Sequence, residues 1–418
     1  MEVKPCAKLH LRSKRMWIMW WRVLTVADSA TKRNPAMRSL LRLAMLGLLL
    51  VPLLFALTPT RAAPGISAFG VNSHIASRYP DPSGMAVPAA PLAQLDMGWV
   101  REDFQFNRIS PQPNTYDWLF TDEAVAALSA QGVNIIGLLN GPTPAWSNGG
   151  HAGSTFFPPN PEAFASFAGA VVNRYKDRIR YWEIWNEPDN ALYWQPQPDP
   201  VAYTNLLRAA SQAIRAADPN ARILVAGIVS PEPATTWFAT IAEHGGWNAF
   251  DIVSIHPYTD PMGPEEGQIG SAGVGLVKAL VDRLGTKPIW ATEFGWATGP
   301  GGRGGVAFSD EDQANFLVRG SVLLRAAGVE RVLWYKLKDG NNGEDYGLFR
   351  YASGPTDYST YKPSFIAFRT LNQQVGAANP VGHIDLVPPQ VVFDFESLGT
   401  WQRGHLPYGT FTQSSAHQ

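Results

Sequence analysis

The sequence predicts an α/β protein built as a (β/α)8 TIM barrel, and three observations carry that expectation. Eight short apolar, β-prone runs recur between residues 66 and 336, helix-like stretches separate most of them, and no Gly-x-Gly-x-x-Gly turn follows the first run. Alternation of this kind over about 300 residues fits a closed parallel barrel better than an open doubly wound sheet. The missing glycine-rich turn weakens a dinucleotide-binding alternative.

In chain order the expected strands are Ile66–Val71, Gly98–Phe104, Val133–Leu139, Ile179–Trp185, Ile223–Ala226, Asp251–His256, Pro288–Glu293 and Arg331–Lys336. Runs such as ILVA and RVLWY are nearly continuous in apolar residues, as strands buried on both faces should be. The stretches between them, Asp122–Gln131, Pro161–Tyr175, Pro200–Ala217, Pro233–His244, Gly273–Leu284 and Ser309–Ala327, are expected helices. Several open on capping residues: Thr121 before Asp122, Asn160 before Pro161, and Ser309 before two acids.

Both ends of the chain differ from this body. Residues 1–62 hold 11 of the 34 Lys and Arg but only two of the 35 acids, Glu2 and Asp28. The remainder is left with 23 basic and 33 acidic residues, a net of −10. An acidic body argues against a nucleic-acid partner. Leu43–Leu57 is an uncharged apolar stretch preceded by Arg38 and Arg42 and followed by Ala62 and Ala63. That is the three-part layout of a secretory signal, too short and Pro-interrupted for a spanning helix. Residues 1–63 are therefore read as leader and signal, with Met37 the better start, and a secreted or cell-surface protein is expected. Membrane contact is expected only through an uncleaved signal, and the expected state is a monomer. The barrel is assigned to residues 64–376. Residues 377–418 read as a linker and the opening strands of a truncated β-sandwich; a polar tail packed on the barrel is the alternative.

Composition narrows the chemistry. The single cysteine, Cys6, lies in the leader, so the body has no disulfide, Cys-ligated metal or thiolate nucleophile. Eight scattered histidines include no His-x-His or His-Glu-x-x-His pair, so neither metal nor cofactor is expected. Fifteen tryptophans suit stacking on flat apolar faces such as sugar rings, with core filling as the alternative for each.

In parallel barrels the chemistry comes from the C-terminal ends of strands. Two expected strands end in a carboxylate there: the fourth in Trp185-Asn186-Glu187-Pro188 and the seventh in Thr292-Glu293-Phe294-Gly295-Trp296. Strands four and seven lie on opposite sides of a barrel mouth, so the two acids should converge. Facing carboxylates are what glycosidic cleavage needs, one to protonate the leaving oxygen and one to stabilise or attack the developing oxocarbenium carbon.

These two motifs resemble clan A of the glycoside hydrolases, most closely family 39, with family 5 next, over residues 66–375. The resemblance implies a retaining hydrolase acting on O-glycosidic bonds of a polysaccharide or oligosaccharide, with Glu187 as acid/base and Glu293 as nucleophile. It also implies Asn186 as a donor to the sugar 2-hydroxyl, Arg101 as support for the nucleophile's charge, and His256 or Tyr258 as a partner of Glu293 or of a substrate hydroxyl. Trp334 is the expected platform under the sugar, Trp146 and Trp296 candidates for further subsites, and Asn140 a hydroxyl contact. Glu183, Trp182 and Trp290 read as structural. Lys336 departs from the pattern and leaves the charge of the substrate open. A non-catalytic glycan-binding barrel is the competing reading, which the intact glutamate pair opposes.

Overall fold

The computed structural model describes residues 66–229, 231–266, 269 and 273–380. The leader with its Leu43–Leu57 stretch and the tail beyond residue 380 lie outside the described residues. Among the described residues no helix is long and apolar enough to cross a membrane.

Each of the eight expected runs holds a strand, with ends displaced by at most three residues. They are β1 (Phe69–Asn72), β2 (Trp99–Gln105), β3 (Asn134–Asn140), β4 (Tyr181–Asn186), β5 (Arg222–Gly227), β6 (Val253–Ile255), β7 (Ile289–Phe294) and β8 (Arg331–Trp334). The strands pair in parallel in the order β5-β4-β3-β2-β1-β8-β7-β6. Parallel bridges Leu224–Ile252 and Ile228–Ile255 join the two ends of that row, with the His256 N–H donating to the Ile228 carbonyl at 2.8 Å. The sheet thus curls into a barrel.

Ten helices accompany it among the described residues: α1 (Ile75–Arg78), α2 (Ala86–Ala89), α3 (Phe106–Ile109), α4 (Leu119–Ser129), α5 (Pro161–Tyr175), α6 (Pro200–Ala217), α7 (Pro231–Glu243), α8 (Val274–Leu284), α9 (Asp310–Ala326) and α10 (Pro363–Val375). The caps expected at Asn160 and Ser309 are present. The Asn160 side chain accepts from the Ala163 N–H, and Ser309 forms a capping box with Asp312. Thr121 is not a cap: α4 begins two residues earlier, and the Thr121 hydroxyl donates to the Trp118 carbonyl from inside the first turn. The short α1–α3 and the last helix, α10, have no counterpart among the expected helices.

Side chains alternate across each strand with period two, so one parity faces the helices and the other the barrel axis. Val100 and Phe104 of β2, Ile184 of β4 and Val225 of β5 join the large outer core beneath the helices. The opposite parity forms a separate cluster, Trp99, Ile136, Leu224, Ile252, Trp290 and Leu333, with Tyr181 packed on it. These rings meet edge to face, Trp99 with Trp290 and Trp99 with Tyr181 each at 4.9 Å between centroids. This cluster fills the N-terminal end of the barrel. The expectation that Trp290 is a packing residue holds, and Trp182 packs on Phe104 in the outer core.

Candidate active site

Two residues further along the same strands, the inward side chains turn polar. Trp99 is followed by Arg101, Tyr181 by Glu183, Ile252 by Ser254 and Trp290 by Thr292. Glu183, fully buried, accepts from Arg101 Nε (2.6 Å), the Gly227 N–H (3.0 Å), Ser254 Oγ (3.1 Å) and Thr292 Oγ1 (3.1 Å). Four donors on one buried carboxylate satisfy its lone pairs and fix the arginine in place. The structural assignment of Glu183 therefore holds in a specific sense: it anchors the cation beneath the mouth.

Arg101 spends its remaining donors upward. One terminal nitrogen donates to Asn72 Oδ1 (3.0 Å) and Glu293 Oε1 (2.5 Å), the other to Asn186 Oδ1 (2.9 Å). The guanidinium is 1 % exposed and its ion pairs are with Glu183 and Glu293, not with the adjacent Glu102 or Asp103. A planar fork with a fixed donor array suits such a hub. Arg101 takes its oxygen, and the Asn186 amide nitrogen has no partner among the described residues, so it can donate to a ligand.

His256 and Tyr258 divide the two glutamates between them. Tyr258 donates to Glu293 Oε2 at 3.0 Å. His256 Nδ1 lies 2.8 Å from Glu187 Oε1 and 3.8 Å from Glu293 Oε2, while its Nε2 meets Thr292 Oγ1 at 3.1 Å. The ring fits there because residue 227 is glycine; a Cβ at Gly227 would lie 2.0 Å from His256 Nε2. Donor atoms of Glu187, His256 and Glu293 all lie within 4.8 Å of one another. They are the one group of metal-type donors among the described residues, and each is already engaged by hydrogen bonds to its neighbours.

Electrostatics separates the members of this group. Burial pushes the Glu293 carboxyl up, but the charges of His256 and Arg101 outweigh it and hold its pKa below the ordinary 4.5. Burial pushes His256 down, yet the Glu293 charge and the hydrogen bond to Glu187 carry it above 6.5. Asp189, two residues past Glu187, is raised to about 6 by burial and by the Glu187 charge. Backbone geometry aims the acids: Trp185 (φ 72°) and Glu187 (φ 44°) both sit in the left-handed region, where non-glycine residues are strained. Such strain at the end of a barrel strand persists only where surrounding structure enforces it.

Of the other expected site residues, Asn140 is half-buried at the end of β3 and its side chain accepts from the Gly141 N–H. Trp146 is half-buried, its indole N–H on the Ser110 carbonyl and its ring against Phe106. Two tryptophans require correction. Trp334 is fully buried, its ring against Phe294 and Trp296 and its N–H on the Tyr346 carbonyl. Trp296 is 1 % exposed and donates to the Met262 carbonyl. Both rings belong to the outer core, because Trp334 has the helix-facing parity of β8, opposite to inward Leu333. The next inward ring, one residue past the end of that strand, is Tyr335. It sits beside His74 (centroids 5.6 Å), Tyr258 (6.4 Å) and Tyr346 (5.7 Å).

His74 was not among the expected site residues. It follows β1, has φ 52°, and places Nδ1 2.7 Å from Asp103 Oδ2 while its buried Nε2 has no partner. Asn72, also missed, donates to the Thr292 and Trp334 carbonyls and so ties β1 to β7 and β8. Both stand at the C-terminal end of β1, a position the strand-end rule marks as plainly as those of β4 and β7.

No family model matches this chain, and no curated protein does. Solved structures do resemble it. A family 39 glycoside hydrolase from the gut symbiont Bacteroides cellulosilyticus WH2 superposes with a TM-score of 0.61 at 21% identity, over 75% of this chain and 66% of that one. A family 39 β-xylosidase from Caulobacter crescentus gives 0.53 at 20%, over 75% and 73%. A family 5 protein from Streptomyces cattleya, in complex with Manβ1-4GlcNAc, gives 0.60 at 15%, over 76% and 83%. The fold is thus that of the (β/α)8 glycoside hydrolases. The chain spans just under two thirds of the length of the first of these structures.

Proposed function

We propose that this protein is a retaining glycoside hydrolase, and the observation that carries the reading is the approach of Glu187 and Glu293. Carboxylate oxygens of the two lie within 4.8 Å of each other at the mouth of the barrel. Retaining enzymes hold their carboxyl groups about 5–5.5 Å apart, whereas inverting enzymes leave about 6.5–9.5 Å for a water.

In this reading Glu293 attacks the anomeric carbon. Arg101 and Tyr258 keep it ionised and hold one oxygen each, which leaves little freedom to misaim. Glu187 gives its proton to the leaving oxygen and later takes one from the water that breaks the glycosyl ester. His256, bonded to Glu187 and 3.8 Å from Glu293, is placed to hold the acid/base in position through both steps. The free Asn186 amide fits the role of donor to the sugar 2-hydroxyl, an interaction that strengthens as the oxocarbenium character grows. Export through the Leu43–Leu57 segment belongs to the same proposal, since a polysaccharide substrate lies outside the cell.

The test is incubation with 2-fluoro-glycosides of several sugars, followed by peptide mass mapping. A covalent sugar on Glu293 is the expected result. Glycan binding with neither label nor turnover would instead favour a non-catalytic glycan-binding barrel.

A further inference from the structure

The described body is acidic, yet one wall of the proposed active-site mouth is cationic. Arg78 lies just beyond His74 on α1, Arg303 in the loop after β7, and Lys336 two residues past the end of β8. All three gather on the tyrosines that flank Glu293. Arg78 donates to the Tyr335 hydroxyl at 3.3 Å, Lys336 Nζ stands 5.1 Å from the Tyr335 ring centroid, and the Arg303 guanidinium lies 4.3 Å over the Tyr258 ring.

These cations are poorly paired within the protein. Neither Arg78 nor Arg303 has a carboxylate oxygen within 4.0 Å among the described residues, and Lys336 has only Glu344, at 3.8 Å. Among the described residues the Lys336 ammonium has no hydrogen-bond partner, although its side chain is 1 % exposed. Nearby Lys362 shows the contrast: equally buried, it donates to Asp339, Thr298 and the Asp345 carbonyl. Asp339 is ion-paired with that lysine, and Asp260, which accepts from Tyr346, stands near Arg303 without an ion pair to it, so each offsets the wall's charge only from a distance. Burial, with Arg78 adding to it, lowers Lys336 to about 8, a cost that a bound anion would offset. A buried ammonium without hydrogen bonds is disfavoured unless something else completes its shell.

We infer that the substrate carries an anionic substituent, a carboxylate or a sulfate ester on a sugar ring, which Lys336 receives with Arg78 beside it. This inference rests on the glycosidase reading above and names the substrate class for that site. A planar carboxylate or a tetrahedral sulfate suits Arg78 as well, since its guanidinium gives only one hydrogen bond to the protein among the described residues.

The test pairs each acidic glycan with its own neutral form. Polyuronates are compared with the same polymers after carboxyl reduction, and sulfated galactans with their desulfated forms. Affinity is measured on Glu187→Gln and hydrolysis on the unmodified protein. At least one acidic form should bind about tenfold or more tighter than its neutral partner, the size expected for one charge-assisted hydrogen bond. Which pair responds identifies carboxylate or sulfate. In the Glu187→Gln background Lys336→Met should erase that preference, Arg78→Gln should reduce it without disturbing the fold, and Lys278→Gln, an exposed lysine on α8, should leave it intact. Equal binding and equal hydrolysis of acidic and neutral forms would overturn the inference while leaving the glycosidase standing. A preference that survives both Lys336→Met and Arg78→Gln would overturn it too. Tight, Lys336-dependent binding of an acidic glycan with no turnover by the unmodified protein would keep the anion site and remove the hydrolase.

Discussion

The two ends of the barrel interior are made from the same strands, two residues apart, and they do opposite things. At the N-terminal end Trp99, Tyr181, Ile252 and Trp290 interlock as an apolar plug. One inward step along each strand, Arg101, Glu183, Ser254 and Thr292 form a closed polar network that carries Glu293 and Asn186 above it. The plug gains from burying surface and tolerates two indole N–H groups without partners among the described residues, those of Trp99 and Trp290. The network satisfies all four acceptor sites of Glu183 and buries a cation between two anions. Stability is concentrated at one end and chemistry at the other, and the period of a strand is enough to separate them.

The change that most strongly tests this division is Glu293→Ala. Loss of the proposed nucleophile should lower kcat/KM by about 10⁴-fold or more, about 5.5 kcal/mol of transition-state stabilisation, while glycan affinity persists. Normal turnover by that variant, in a steady-state assay, would remove the nucleophile assignment and with it the contrast between the two ends.

Arg101→Met probes the joint between them. It leaves Glu183 and Glu293 buried without their cation, which should cost about 3–5 kcal/mol in chemical denaturation. The pH dependence has a definite sign. Glu293 is held below 4.5, so its contribution to stability is present above that value and is lost as pH falls through its lowered folded pKa. Without Arg101 the carboxyl should take its proton at higher pH. The acid limb of the kcat/KM profile should then move upward; a limb that stays put would mean that some other group titrates there.

How far the sequence made this visible follows the same geometry. Near-continuous apolar runs mark β-strands buried on both faces, so all eight were legible, and the two glutamates stood at ends that the barrel makes functional. Arg101 was legible as a strand residue, whereas its partner Glu183 lies 82 positions away and only register brings them together. The division of labour between His256 and Tyr258, two residues apart, depends on Gly227 making room for one ring, which neither motif encodes. Trp334 misled because a tryptophan at a strand end reads as a sugar platform until parity is counted from Leu333. Helix α10 has no counterpart among the expected helices because its apolar residues pack on a barrel already closed, with no further barrel strand after it among the described residues to mark the stretch as a crossover.

Trp290→Ala tests the other end. Truncating a buried tryptophan costs about 3–5 kcal/mol, and here the lower end applies, because the indole N–H has no partner and its removal relieves a small penalty. Thermal or denaturant unfolding should register about 3 kcal/mol, with kcat/KM of the folded enzyme nearly unchanged. A large kinetic defect would show that the plug positions the network rather than merely supporting it.

The smallest effect is expected for Tyr258→Phe, and it separates charge from hydrogen bonding at Glu293. The phenol gives one bond to Oε2 at 3.0 Å, while Arg101 holds Oε1 and, with His256, supplies the positive charge. Losing the hydroxyl leaves the ring edge to face with Tyr335 and Tyr346 and the carboxylate still ionised. A bond to a charged group contributes about 1.5–3 kcal/mol, so kcat/KM should fall roughly tenfold, and the acid limb should rise by less than in Arg101→Met. Stability should change less than in Arg101→Met, because the carboxylate keeps its ion pair with Arg101. If Tyr258→Phe instead matched Arg101→Met in the size of its acid-limb shift, hydrogen bonding rather than the buried cation would govern the ionisation of Glu293, and the polar end would owe its chemistry to its rim instead of to the layer beneath it.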